Sequence, residues 1–399
     1  STKEARLLGK KVKVIGVNMI PFTKPGAHEP YEVMAAKAVK GALEDAGIDY
    51  SEIQQAYASY VYGDSTCGQR ALYQVGMTGI PIFNINNNCS SGSNALFLAR
   101  QAVESGAVEC ALAVGFEEMK PGALKSHWDD RTPATGWLQD RLKELWPEVP
   151  QAPNAIRLFG SAGKEYLEKY GANPDIFAKV SVKTRNHAVQ NPYSLFTQTL
   201  TVDEVMSAPE LMPRLTRLMA CPPTCGAAAA IVCSEEFAKK HGISNAVEIV
   251  AQALTTDMNV SHDNILNLVG ADMTRRAAKQ VYEATGIGPD EVDVLELHDC
   301  FTPNEVITYE SLGICEEGGA EKLINDGDNT YGGKVVVNPS GGLMSKGHPI
   351  GATGLAQCTE LVWQLRGQAQ KRQVENARVA LHHNLGLGGA CVVTMYRVG

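Results

Sequence analysis

Apolar and polar positions alternate first at Lys11 to Val17 (KVKVIGV), which predicts a strand. Short apolar runs predict further strands at Ala56 to Tyr62, Ile82 to Ile85, Cys110 to Phe116 and Ala227 to Cys233. Helical spacing of apolar residues runs over Glu32 to Ala46, and again from Ala95 through Leu96, Ala99 and Val103. Strand, helix, strand, helix, strand predicts a mostly parallel sheet with right-handed crossovers. From Glu117 to Ala220 the pattern is irregular but rich in apolar residues, with short amphipathic helices such as Ser161 to Tyr170. Such a stretch reads as an excursion from the sheet that carries binding function.

The second half repeats the scheme. Strands are expected at Ala246 to Leu254, Val292 to Leu297, Val335 to Asn338, Val379 to His383 and Cys391 to Tyr396. Helices are expected at Thr274 to Ala284, Pro303 to Leu312 and Ile350 to Leu365. The unit from Ile82 to Val103 (strand, turn with Cys89, helix) matches that from Val335 to Leu365 (strand, turn with His348, helix). The reading is an internal duplication whose equivalent turns face one cavity. It divides the chain into an N-terminal half (1–116, completed by 221–243), a loop domain (117–220) and a C-terminal half (244–399).

Composition narrows the classes. A chain of 399 residues exceeds one ordinary core, and 44% hydrophobic with 20% charged residues is globular. A net charge of −8 argues against nucleic acid as the main partner, though not against an anionic ligand held by a local cationic cluster. The expectation is a protein neither inserted in a membrane nor secreted. The ten cysteines include no CxxC pair and no zinc-ligand spacing, so no metal is expected and a reducing compartment is.

Cys89 falls at a strand-to-helix turn among small residues, where free N–H groups and the helix dipole favour a thiolate. Taken alone it reads equally as a small buried residue. Three later motifs sit at strand ends: His298-Asp299-Cys300-Phe301, Ser345-Lys346-Gly347-His348-Pro349, and the glycine turn Asn384-Leu385-Gly386-Leu387-Gly388-Gly389. Individually, His298 reads as a core histidine, Asp299 as a helix N-cap, Cys300 as an inert thiol and the glycines as a hairpin. Ligand sites in α/β sheets lie at carboxyl strand ends, so two cysteines, two histidines and an N–H-rich turn in those places point to one active site.

NNNCSSGSNAL, ELHDCFTPNE, NPSGGLMSKGHPIGATGLAQC and HNLGLGG resemble the thiolase superfamily, and within it the sterol-carrier-protein-2 type thiolases, over essentially the whole chain. The resemblance implies a fold of two βαβαβαββ halves in αβαβα layers. It also implies thiolytic cleavage of 3-ketoacyl-CoA to acetyl-CoA or propionyl-CoA and a shortened acyl-CoA. Cys89 would be the nucleophile, His348 its base, His298 the holder of the enolate oxygen and Cys300 the acid and base at C2. The N–H of Cys89 with that of Leu387 or Gly388 would form the oxyanion hole. Coenzyme A would be co-substrate with no bound cofactor, and Lys183, Arg214 and Arg217 are the candidate CoA contacts. A homodimer in a peroxisomal matrix or bacterial cytoplasm is implied. Cys225 departs from the acidic residue usual in the family, and Ser90-Ser91-Gly92 from its ATG. The rivals are a retro-aldolase or lipid-transfer-like CoA-ester-binding protein, a decarboxylating acyltransferase, and a scaffold without activity.

Overall fold

A computed structural model describes residues 9–121 and 125–399. Residues 1–8 of the predicted N-terminal half and 122–124 of the predicted loop domain lie outside the described residues.

The N-terminal half runs β1 (Val12–Met19), α1 (Tyr31–Ala46), β2 (Gln55–Ser59), the short helix Cys67–Leu72, β3 (Ile82–Ile85), α2 (Ser91–Glu104) and β4 (Cys110–Glu117). A long excursion follows, with α3 (Asn154–Tyr170) and α4 (Asp175–Ala188), before β5 (Gly226–Ser234) returns to the sheet. The C-terminal half repeats the path through β6 (Val247–Thr255), α5 (Ala271–Thr285), β7 (Val294–Glu296), α6 (Thr302–Ser311), β8 (Val336–Val337), α7 (Thr353–Arg366), β9 (Val379–Gly386) and β10 (Ala390–Arg397). Helix α1 ends where Gly47 turns left-handed and returns its N–H to Leu43 and Glu44, so its apolar face (Ala35, Ala38, Val39, Ala42) lies flat on the sheet.

The duplication is explicit in strand order. β1 to β5 lie as 1-5-4-2-3, and β6 to β10 lie as 6-10-9-7-8, joined through antiparallel β1 and β6. The expected mostly parallel sheet is corrected: β5 runs antiparallel to both β1 and β4, as β10 does to β6 and β9. The excursion brings β5 back from the far end of β4, and a tight hairpin turns β9 into β10. Neither connection is a helical crossover, so neither enforces parallel pairing.

Burial on alternate residues shows the layers. Ala228, Ala230 and Val232 of β5 join a core with Leu96 and Val103 of α2 and Leu355 and Leu361 of α7, while Ala227, Ala229 and Ile231 face α1. Leu295, Leu381 and Val393 of the second half face α5 and α6, and α3 and α4 of the excursion share that core. The helices α2 and α7 thus form a central layer between the two halves of the ten-stranded sheet, with α1 and α5–α6 outside. No helix among the described residues is long and apolar enough to cross a membrane.

Candidate active site

Each half ends a parallel strand at the same depth and starts a central helix there. After β3 the chain turns through Asn88, which is left-handed, and Cys89 stands at the start of α2. Burial pushes its thiol up to about 12, and the nearby Glu117 carboxyl adds to the effect. Loss of solvation thus opposes the thiolate that the helix terminus was expected to favour.

His348 occupies the matching turn before α7. Gly347 adopts φ +121°, and a Cβ there would strike Thr224, whose hydroxyl accepts the His348 N–H at 2.9 Å. The Thr353 hydroxyl has one hydrogen and two neighbours, the Pro349 carbonyl at 3.2 Å and His348 Nδ1 at 2.5 Å. With the hydroxyl turned to the carbonyl, Nδ1–H donates to Thr353 and Nε2 keeps a lone pair. That atom is buried and has no partner among the described residues. Burial, then Lys346, lowers the ring to about 3, so it is neutral. It has the form of a base awaiting a proton.

His298 follows β7. Its N–H donates to His383 Nδ1 at 3.2 Å, its carbonyl accepts from Asn304 at 2.6 Å, and its Nδ1 accepts from Asn384 Nδ2 at 3.0 Å. Burial, with His348 and His383 beside it, holds the ring well below the usual histidine range. A neutral ring that accepts at Nδ1 carries its hydrogen on Nε2. The rings of His298 and His348 meet edge-on, centroids 5.1 Å apart. The Cys89 sulfur and one nitrogen from each ring all lie within 4.8 Å of one another.

Cys300 is buried beside them. Its thiol is pushed well up by burial, then by Cys221, Cys89 and Asp299. Cys221, from the end of the excursion, donates its N–H to the Cys300 carbonyl at 2.9 Å and is a third thiol close to Cys89. The glycine turn is tied to the Cys89 segment: Asn88 Nδ2 donates to the Leu387 carbonyl and Asn384 Nδ2 to the Cys89 carbonyl, both at 3.1 Å. Among the described residues, the N–H groups of Leu387 and Gly388 donate to no protein acceptor.

The remaining candidates differ in where the fold puts them. Lys183 is turned inward, its ammonium 2.5 Å from Glu305 and 3.0 Å from the Val337 carbonyl, so its charge is buried in an ion pair and turned away from a phosphate in solvent. Arg214 and Arg217 are exposed. Asp299 caps a short helix: its Oδ1 accepts from Leu343 at 2.7 Å at the start of the turn Gly342–Ser345 that leads to His348. Cys225 sits buried, its sulfur against the backbone of Met119.

Sequence reasoning passed over Asn384, Thr353 and Glu117. Glu117 accepts from Val61 (3.0 Å), Tyr62 (2.9 Å) and Gly351 (2.9 Å), so it joins the His348 turn to the loop after β2. An amide inside a β9 run and a carboxylate ending an apolar strand were the available signals.

Family models described as "Thiolase, N-terminal domain" and "Thiolase C-terminal domain-like" match residues 12–236 and 251–395. The chain belongs to the thiolase family, whose two-domain layout and acyltransferase-type chemistry its fold and site share. It is 54% identical over 396 residues to the human (Homo sapiens) protein "Sterol carrier protein 2", covering 98% of this chain and 72% of that one. Among solved structures it is similar to "Ltp2-ChsH2(DUF35) aldolase" (TM-score 0.83, 20% identity, 98% of each chain). It is also similar to human mitochondrial 3-ketoacyl-CoA thiolase in complex with CoA (TM-score 0.72, 17% identity, 98% of this chain and 99% of that one).

Proposed function

We propose that the protein cleaves 3-ketoacyl-CoA with a second CoA, through an acyl group carried on Cys89. The observation that carries this reading is the meeting of the Cys89 sulfur with one ring nitrogen each of His298 and His348, all within 4.8 Å. Nε2 of His348 takes the Cys89 proton as the sulfur attacks C3. The C2–C3 bond breaks and its electrons move to the departing thioester as an enolate. The Nε2–H of His298 holds the enolate oxygen. Cys300, whose raised pKa keeps it protonated at rest, gives its proton to C2. The unspent N–H groups at Leu387 and Gly388, with that of Cys89, receive the oxygen on C3. The thiolate left on Cys300 then deprotonates CoA, which takes the acyl group from Cys89 as His348 returns its proton to the departing Cys89 sulfur. A retro-aldolase on this scaffold has no use for an acyl-accepting sulfur.

The support for CoA as co-substrate is family membership, together with the thiolase structure solved with CoA. With Lys183 buried, Arg214 and Arg217 of the 117–220 excursion are the phosphate contacts we propose. Cys89→Ala should abolish acyl-enzyme formation. Cys300→Ala should still accept an acyl group from a preactivated donor while C–C cleavage stops. Cleavage of 3-ketoacyl-CoA by Cys300→Ala at the parent rate would overturn its role.

We also propose a homodimer. β3 is a sheet edge, and Phe83 (47% exposed) and Met77 (75% exposed) lie on or near it. Sedimentation should give a mass of two chains, reduced to one by Phe83→Lys; a single-chain mass for the unaltered protein sinks this reading.

A further inference from the structure

Cysteine, histidine and histidine with donor atoms within 4.8 Å are a ligand set that suits zinc or cobalt. Whether they bind one depends on where the His298 hydrogen sits, and a hydrogen-bond relay fixes it from a backbone carbonyl. The His383 carbonyl accepts from Gln357 Nε2 at 3.0 Å, so Gln357 turns its oxygen to His382 Nε2, also at 3.0 Å. His382 Nε2 must then carry hydrogen. It therefore cannot accept from Ser93 Oγ, which lies 3.2 Å away. The Ser93 hydroxyl is left to donate to Asn384 Oδ1 at 2.7 Å. That bond orients the Asn384 amide, whose amino group faces both the Cys89 carbonyl (3.1 Å) and His298 Nδ1 (3.0 Å).

We propose that Asn384 is a positioning residue that fixes the His298 tautomer, so that Nε2 presents a hydrogen to substrate and withholds a lone pair from metal ions. A metal on Nε2 would force a hydrogen onto Nδ1, directly against the Asn384 amino group. The catalytic half of this statement rests on the proposed function; the metal half does not.

Asn384→Asp replaces the donor with an acceptor of the same shape. It should hold His298 with hydrogen on Nδ1 and leave Nε2 bare. With Co2+ as the probe, the variant should bind about 10- to 100-fold more tightly than the parent, the range for altering the partner of a ligating histidine. A thiolate-to-cobalt absorption band should appear and should vanish in Asn384→Asp/Cys89→Ser. Histidine 15N spectra should show hydrogen on Nε2 of His298 in the parent and on Nδ1 in the variant. Cleavage of 3-ketoacyl-CoA should fall about 100-fold or more, as when an oxyanion donor is removed.

The carboxylate also faces the Cys89 carbonyl, so Asn384→Leu, which removes both bonds without repulsion, is the second variant. It should fall between parent and Asn384→Asp in Co2+ affinity, with Cys89 still alkylated by iodoacetamide. Equal Co2+ affinity in parent and both variants, or parent-like cleavage by Asn384→Asp, overturns the assignment. If the parent itself cleaves no 3-ketoacyl-CoA while the Co2+ contrast holds, the proposed function fails and the tautomer assignment stands.

Discussion

Glu117 closes β4 with its carboxyl inside the protein, pushed up to about 7 by burial although three backbone N–H groups oppose the shift. A carboxyl raised above its unfolded value binds more protons when native, so its stabilising state is complete below the ordinary carboxyl range and is lost as pH rises through about 7. Between pH 5 and 8 the loss is roughly 2 to 3 kcal/mol. Glu117→Gln cannot ionise, so urea unfolding at both pH values should show the variant gaining on the parent by that amount. A pH-independent difference between the two would remove the titration from this residue. At this scale the residues that gather at the site were legible, because Cys89, His298, Cys300 and His348 bear reactive groups within distinctive neighbours. Thr353, Asn384 and Glu117 were not. Their tasks are defined by the partner each meets, and those partners lie 5, 86 and 234 residues away in the chain.

Among elements, the strands and long helices were readable because one face of each is buried and the period shows it. Strand direction was harder to read: a run such as Gly226–Ser234 is apolar whichever way it lies, and only the excursion before it determines that it pairs antiparallel. The helices of the excursion were expected to be short, yet α3 runs 17 residues and α4 runs 14, both packed over α6. The turn Gly342–Ser345 has four residues, too few for any periodicity, although it carries Asp299's hydrogen bonds and leads into His348. Lys183 looked like a phosphate ligand because its charge is visible in sequence while its partner Glu305, on α6, is not.

At the level of the whole molecule, the core around α2 and α7 draws Leu96 and Val103 from one half and Leu355 and Leu361 from the other. Neither half owns it, so each alone would leave that apolar face in water. Chains 1–244 and 245–399, cut in the loop just before β6, should be insoluble when expressed singly and should assemble into active protein when co-expressed. Soluble, cooperatively unfolding single halves would contradict a shared core.

The repeated path 1-5-4-2-3 and 6-10-9-7-8 sets Cys89 and His348 on equivalent turns of the two halves. Two identical copies of a half, meeting about a true twofold axis, would be obliged to put the same side chain on both turns. A cysteine facing a histidine across that axis is open only to halves that have been allowed to differ. Joining the halves in one polypeptide is therefore what lets a near-symmetric scaffold carry out a reaction that has a direction.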